Sequence, residues 1–182
     1  MNQTALRQIV AQLGSLLPSV QAWINQYCSQ HAGRAIPVEQ CGFRRLDQYF
    51  GPDRLKKTRV VQVDRISFPP LTQMGFPHFR EFEEQEFGGI TYQNMYFLTR
   101  EAYTCEATHF HELVHVVQWD ELGVGRFLTV YGIGLLTAGY RHSPLETMAY
   151  DLQVDFTQGI RIPDLERTIK AKTAQIAAAL GQ

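Results

Sequence analysis

Apolar residues recur every three to four positions along most of this chain, and at every second position through a shorter middle stretch. Leu6, Ile9, Leu13, Leu16 and Leu17 share one helical face, and the pattern resumes after Pro18 with Val20, Ile24 and Tyr27. Residues 4–31 are therefore expected as one bent helix or two short ones. Residues 33–58 are mixed and turn-rich, broken by Gly33, Pro37, Gly42, Gly51 and Pro52. From Arg59 to Phe68, Val61, Val63 and Arg65 alternate on one face among β-branched residues, which predicts a strand stopped by Pro69-Pro70. The acidic, phenylalanine-punctuated run from Phe79 to Phe87 is expected as a solvated strand or turn.

Gly88-Gly89 signals a turn, and Ile90-Thr91-Tyr92 with Met95-Tyr96-Phe97-Leu98 then reads as part of a small antiparallel sheet. Helical spacing returns from about Glu106 to Leu122 and stops at Gly123. A second helix covers roughly 125–139, where Gly132 and Gly134 cost helix propensity but permit close packing. A third begins near Ser143-Pro144. From Pro163 onward, Leu165, Ile169, Ile176 and Leu180 predict a terminal amphipathic helix. The sum is an α+β fold: a small antiparallel or mixed sheet packed on two central helices, with helices at both ends. Residues 1–58 are expected as a helical segment of unassigned role and 59–182 as the main domain, the whole forming one unit.

A length of 182 residues with 45% hydrophobic and 12% aromatic content fits a folded domain with a real core. A formal charge of −1 leaves no electrostatic footprint for nucleic acid. No apolar run reaches the length of a membrane span, and Met1-Asn2-Gln3-Thr4 opens without the features of a secretory signal. Cys28, Cys41 and Cys105 are odd in number and scattered, which suits reduced thiols and a cytoplasmic location. Cys105 lies six residues before His111, within reach of a site there, and is expected as a buried structural thiol.

The chemistry concentrates in His111-Glu112-Leu113-Val114-His115. Four residues advance a helix by about 400°, so the two imidazoles stand one turn apart on one face and can reach a single Zn²⁺. Glu112 lies about 100° round the helix, placed to act on a water without ligating the ion. Phe110, Leu113, Val114 and Val117 mark the helix as buried, with His111, His115 and Gln118 forming a stripe within it. Buried imidazoles need partners, and a shared metal satisfies both. A catalytic zinc site normally takes three protein ligands. His142, Glu146, Asp151 and Asp155 are candidates for the third, and Glu146 is the best placed. Ser143-Pro144-Leu145-Glu146 also matches a capping box, in which Glu146 would bond the helix start instead. His109 points away from His111 on the same helix, while His31 and His78 read as surface or packing residues.

Three stretches together, residues 88–97, His111 to Trp119, and Tyr140-Arg141-His142-Ser143-Pro144-Leu145-Glu146-Thr147-Met148-Ala149-Tyr150, resemble the small gluzincin-like metallopeptidases of bacteria. These are minimal relatives of thermolysin-type enzymes, and the resemblance covers about residues 60–155. It implies His111, His115 and Glu146 as zinc ligands, Glu112 as the catalytic carboxylate, and a peptide or protein substrate laid along an edge strand within Ile90–Leu98. Of the donors near Glu146, namely Tyr140, Arg141, His142 and Tyr150, Tyr140 is taken as the one that steadies the oxyanion. The chain departs from the family pattern at Leu145, where an asparagine is usual. It departs again at Tyr150, where an aspartate normally supports a zinc-binding histidine, so Asp151 or Asp155 is expected to take that role. The alternative is a zinc-binding structural or interaction domain that keeps the fold without turnover.

Overall fold

The structure, a computed structural model, describes residues 3–181, with side chains from residue 11 onward. The Leu6 and Ile9 side chains expected on the first helical face lie outside what is described. In chain order the elements are α1 (Gln3–His31), β1 (Ile36–Pro37), α2 (Pro52–Lys57), β2 (Arg59–Val63), α3 (Arg80–Glu83), β3 (Gly89–Tyr92), β4 (Met95–Thr99), α4 (Arg100–Tyr103), α5 (Glu106–Ala138), α6 (Pro144–Thr157) and α7 (Leu165–Ala179). The fold is α+β. Among the described residues the sheet is mixed, in the order β1-β2-β4-β3, with β2 and β4 parallel and the other two pairs antiparallel. Among the described residues no helix is long and apolar enough to cross a membrane.

Strand β4 is apolar at nearly every position because both of its faces are covered. Phe97 packs on Tyr27 of α1, with ring centroids 4.7 Å apart. On the other face, Tyr96 shares a 2.7 Å hydrogen bond with His109 of α5. Strand β2 is shorter than its β-branched run suggested. It ends at Val63, level with Thr99, where the partner strand gives way to α4 and no backbone partner remains. Arg65 therefore lies beyond the sheet. The turn-rich region expected over 33–58 holds β1, α2 and several 3-10 turns, and Arg54 of α2 is paired with Asp120 of α5 and Glu166 of α7.

Helix α1 runs unbroken past Pro18. Helix α5 has two arms that meet at Gly123, whose φ of 69° and ψ of 170° interrupt the helical path where a stop was expected. Only glycine adopts that conformation without strain. Gly132 and Gly134 allow the close packing anticipated for them: a Cβ at Gly132 would stand 3.2 Å from Leu13, and one at Gly134 would stand 2.6 Å from Ser143 Oγ. In α7 the buried stripe is Leu165, Ile169, Thr173 and Ala177.

The run from Phe79 to Phe87 is a short helix and turn, not a strand; Arg80, Glu81, Glu84, Gln85 and Glu86 are exposed as expected, while its phenylalanines are buried or half-buried. It contains a 3-10 turn and α3, with Phe79 buried and Phe68, Phe82 and Phe87 forming a cluster of ring centroids 5.0–5.3 Å apart. Phe79 and Phe82 stand three residues apart, a helical spacing hidden beneath the surrounding glutamates.

The first arm of α5 rests on α6 through Phe110, fully buried and stacked on Phe156 at 4.4 Å. Truncating Phe110 to alanine is expected to cost about 3–5 kcal/mol. Urea unfolding should register this as a lower midpoint with an unchanged slope.

Candidate metal centre

The first arm of α5 carries both histidines of the pentapeptide, and α6 begins with Pro144 at its first turn and brings Glu146 back against them. His111 Nε2 and His115 Nε2 lie 3.0 Å apart. Glu146 Oε2 is 3.4 Å from the first ring and Oε1 is 3.2 Å from the second. Ligands at about 2.0–2.1 Å around a tetrahedral zinc ion stand about 3.3–3.4 Å from one another. The two carboxylate contacts, made through different oxygens, fall near that span, and the imidazole pair lies inside it. Among the described residues these are the three His, Cys, Asp or Glu side chains able to hold one metal ion, and all are buried.

Hydrogen bonding explains why the donors face inward. Gln118 donates its amide N–H to the Leu145 carbonyl, which turns its Oε1 toward His115 Nδ1 at 2.8 Å. Nδ1 must then carry a proton, which leaves Nε2 as the atom turned toward His111 and Glu146. Gln153 Oε1 does the same for His111 Nδ1 at 3.1 Å. Two Nε2 atoms and a carboxylate thus converge, and Glu146 Oε2 is buried with no hydrogen-bond partner. Such a group requires a positive charge between its members. Burial opposes charge on His115, but the neighbouring Glu146 carboxylate outweighs it and pushes the imidazole up to about 9. Burial likewise opposes charge on Glu146, and the two histidines overcome it, holding the carboxyl well below the usual carboxylate range. A divalent cation meets the same need more fully, and the donor set suits one.

Around this group the cleft is closely organised. Tyr131, from the second arm of α5, donates to Glu146 Oε1 at 2.7 Å. Glu112 is not part of the metal-competent group but lines the same cleft. Burial raises its carboxyl, a shift partly offset by His111, His115 and the hydrogen bond that Thr91 Oγ1 donates at 2.7 Å. Gly89, expected only as a turn residue, begins β3 and lets the strand approach this carboxylate. A Cβ there would collide with Glu112 Oε1 and stand 2.6 Å from Leu98 Cδ2. Tyr140 also lines the cleft, its hydroxyl 3.3 Å from that of Tyr150. Burial and the Glu146 carboxylate raise the Tyr140 phenol far above its ordinary value, so it remains a proton donor.

The other candidates fall elsewhere. His142 and Asp151 are exposed, and Asp155 is half-buried outside the group. His109 faces Tyr96 and the Tyr103 carbonyl, His31 packs on Tyr27 and Phe97, and His78 is exposed. Cys105 is exposed at the start of α5, not buried. No capping box forms: Ser143 makes no side-chain cap, and its Oγ is buried without a partner. The aspartate expected to orient a histidine is replaced by Gln153. Seven residues after Glu146 return to the same face of α6, whereas five or nine residues lead away from it by about 140–180°. That spacing was present in the sequence and identifies Gln153 once Glu146 is accepted.

Compared with protein-family models, with curated proteins and with solved structures, the chain finds no match.

Replacing Gln118 with alanine is expected to weaken zinc affinity about 10–100-fold, and replacing Gln153 to do so as well. Asp151→Ala should leave affinity unchanged. Competition against a chromogenic chelator measures all three.

Proposed function

We propose that the chain is a zinc-dependent peptidase acting on a peptide or protein substrate. The observation that carries this reading is the convergence of His111, His115 and Glu146 on one point, with Glu112 lining the same cleft but not belonging to the metal-competent group. His111 and His115 would hold the ion through Nε2 and Glu146 through its carboxylate. When bound, zinc supplies Lewis acidity, lowering the pKa of a water toward about 7 and polarising a carbonyl.

The remaining work belongs to the side chains. Glu112 accepts a proton from the attacking water as the carbon–oxygen bond forms, then returns it to the leaving nitrogen as the carbon–nitrogen bond breaks. Thr91 keeps the carboxylate turned toward the cleft by donating to its other oxygen. Tyr140, a neutral phenol in the same cleft, donates to the carbonyl oxygen as that oxygen gains charge. Strand β3 is an outer strand of the sheet, and its residues 89–92 line the cleft. An extended substrate backbone can pair with that edge while its side chains alternate between cleft and solvent. The three free cysteines, unpaired and scattered, suit a reducing cytoplasm.

A second reading, a zinc-binding structural or interaction domain without turnover, is favoured by one observation. The histidines are backed by neutral glutamines, which raise ligand basicity less than carboxylates do.

Glu112→Gln separates the two. In a peptidase it should lower hydrolysis of casein about 10²–10⁴-fold while zinc content stays at one ion per chain. In a scaffold it changes nothing measurable. A second variant, Gly89→Ala, should displace the Glu112 carboxylate and depress hydrolysis with the ion retained. Both are read by peptide release alongside metal analysis.

A further inference from the structure

One wall of the cleft comes from the part of the chain whose role the sequence left unassigned. Leu13, Leu16, Leu17 and Val20 follow the i, i+3, i+4, i+7 spacing of a single face of α1, and all four line the cleft that holds His111, Glu112, His115 and Glu146. Gly132 makes this possible, because Leu13 occupies the space its side chain would fill. Phe68, Phe82 and Phe87 line the cleft as well, contributing an aromatic surface.

Charge is confined to one place in this cleft. Among the described residues lining it, the charged or metal-competent side chains are His111, His115, Glu112 and Glu146, and every other one is apolar or neutral. Leu13 and Val20 are buried, whereas Leu16 and Leu17 remain partly open. The cavity volume of about 120 Å³ falls below the roughly 300–1,000 Å³ that encloses a drug-sized ligand. That space is of the order of one large side chain.

We propose that α1 is the selectivity wall of the substrate cleft, and that it receives a single large uncharged apolar side chain, of leucine or phenylalanine size. This rests on the peptidase reading for the identity of the ligand as a peptide. A charged side chain entering here loses its hydration and meets no partner on the α1 wall. An apolar one covers Leu16 and Leu17 and gains the burial of both surfaces.

The test uses the full chain, with and without added zinc, carrying labelled leucine and isoleucine methyl groups. N-acetyl-phenylalaninamide should shift the Leu16, Leu17 and Ile90 methyl resonances and bind about ten-fold more tightly than N-acetyl-lysinamide or the N-acetyl amide of aspartic acid. Leu16→Gln and Leu17→Gln alter partly open positions, and each should weaken the phenylalanine probe about three-fold or more with an unchanged thermal midpoint. Equal binding of the charged amides, shifts that avoid α1, or indifference to both variants would overturn the proposal. A parallel digestion of peptides with varied side chains separates this outcome from the fate of the peptidase reading. Selective binding without cleavage removes the peptidase and upholds the α1 wall. Cleavage indifferent to side chain and to both variants removes the wall and upholds the peptidase.

Discussion

Two imidazole nitrogens and a carboxylate meet in the interior around one demand for positive charge, and the rest of the site is arranged around it. Two imidazole nitrogens 3.0 Å apart and a carboxylate 3.2–3.4 Å from each repel unless a positive charge lies among them. Their outward-facing atoms are already committed: both Nδ1 atoms to glutamine oxygens, and one carboxylate oxygen to a tyrosine hydroxyl. No rotation of a ring relieves the conflict without breaking one of these bonds. A proton on His115 answers the demand for positive charge here, and the imidazole and the Glu146 carboxylate hold each other in their charged forms.

The geometry of this group is held by packing on every side of the first arm of α5. Phe110, Leu113, Val114, Val116 and Val117 are fully buried, so the backbone bearing the histidines has little freedom to drift. The reversal at Gly123 then sends the second arm back along the cleft. Only because of that reversal does Tyr131 reach Glu146. Trp119 and Phe127, stacked at 3.9 Å across the bend, fix the angle between the two arms. Trp119 also donates to the Thr91 carbonyl and so ties the bend to the strand that controls Glu112. Metal-competent group, neighbouring carboxylate and outer strand are thereby one mechanical unit.

The parts legible in the sequence are those governed by short periods. The 3.6-residue repeat located every long helix, Gly123 and Gly139 marked where α5 bends and ends, and the spacing of His111 and His115 fixed a shared face. Glu146 was readable as a candidate because a proline-started helix had to follow the α5 hairpin, but its competition with a capping box could be decided only by three-dimensional proximity. What stayed hidden depends on long-range contact. Nothing local to Phe79–Phe87 says that its phenylalanines will meet Phe68, and nothing local to α1 says that its leucines will close a cleft 90 to 130 residues away in sequence. Strand β2 stopped where its partner stopped, a limit that belongs to β4 and not to the residues of β2.

The neutral glutamines carry a consequence for charge. A divalent ion held by two neutral imidazoles and one carboxylate keeps a net charge of about +1, and amide partners do nothing to reduce it. In a cleft whose walls are apolar, the nearest negative group able to balance that charge is Glu112. Burial alone pushes the Glu112 carboxyl toward its protonated form. An adjacent cation would, on the proposed reading, reverse the balance and make the carboxylate available as a base. Under the proposed reading, one side chain therefore serves both as counter-ion and as proton acceptor. An aspartate behind either histidine would compete for the first role and leave Glu112 less strongly held in its ionised state. On that reading the glutamine pair concentrates the demand for negative charge on Glu112, the carboxylate of the cleft that lies outside the metal-competent group.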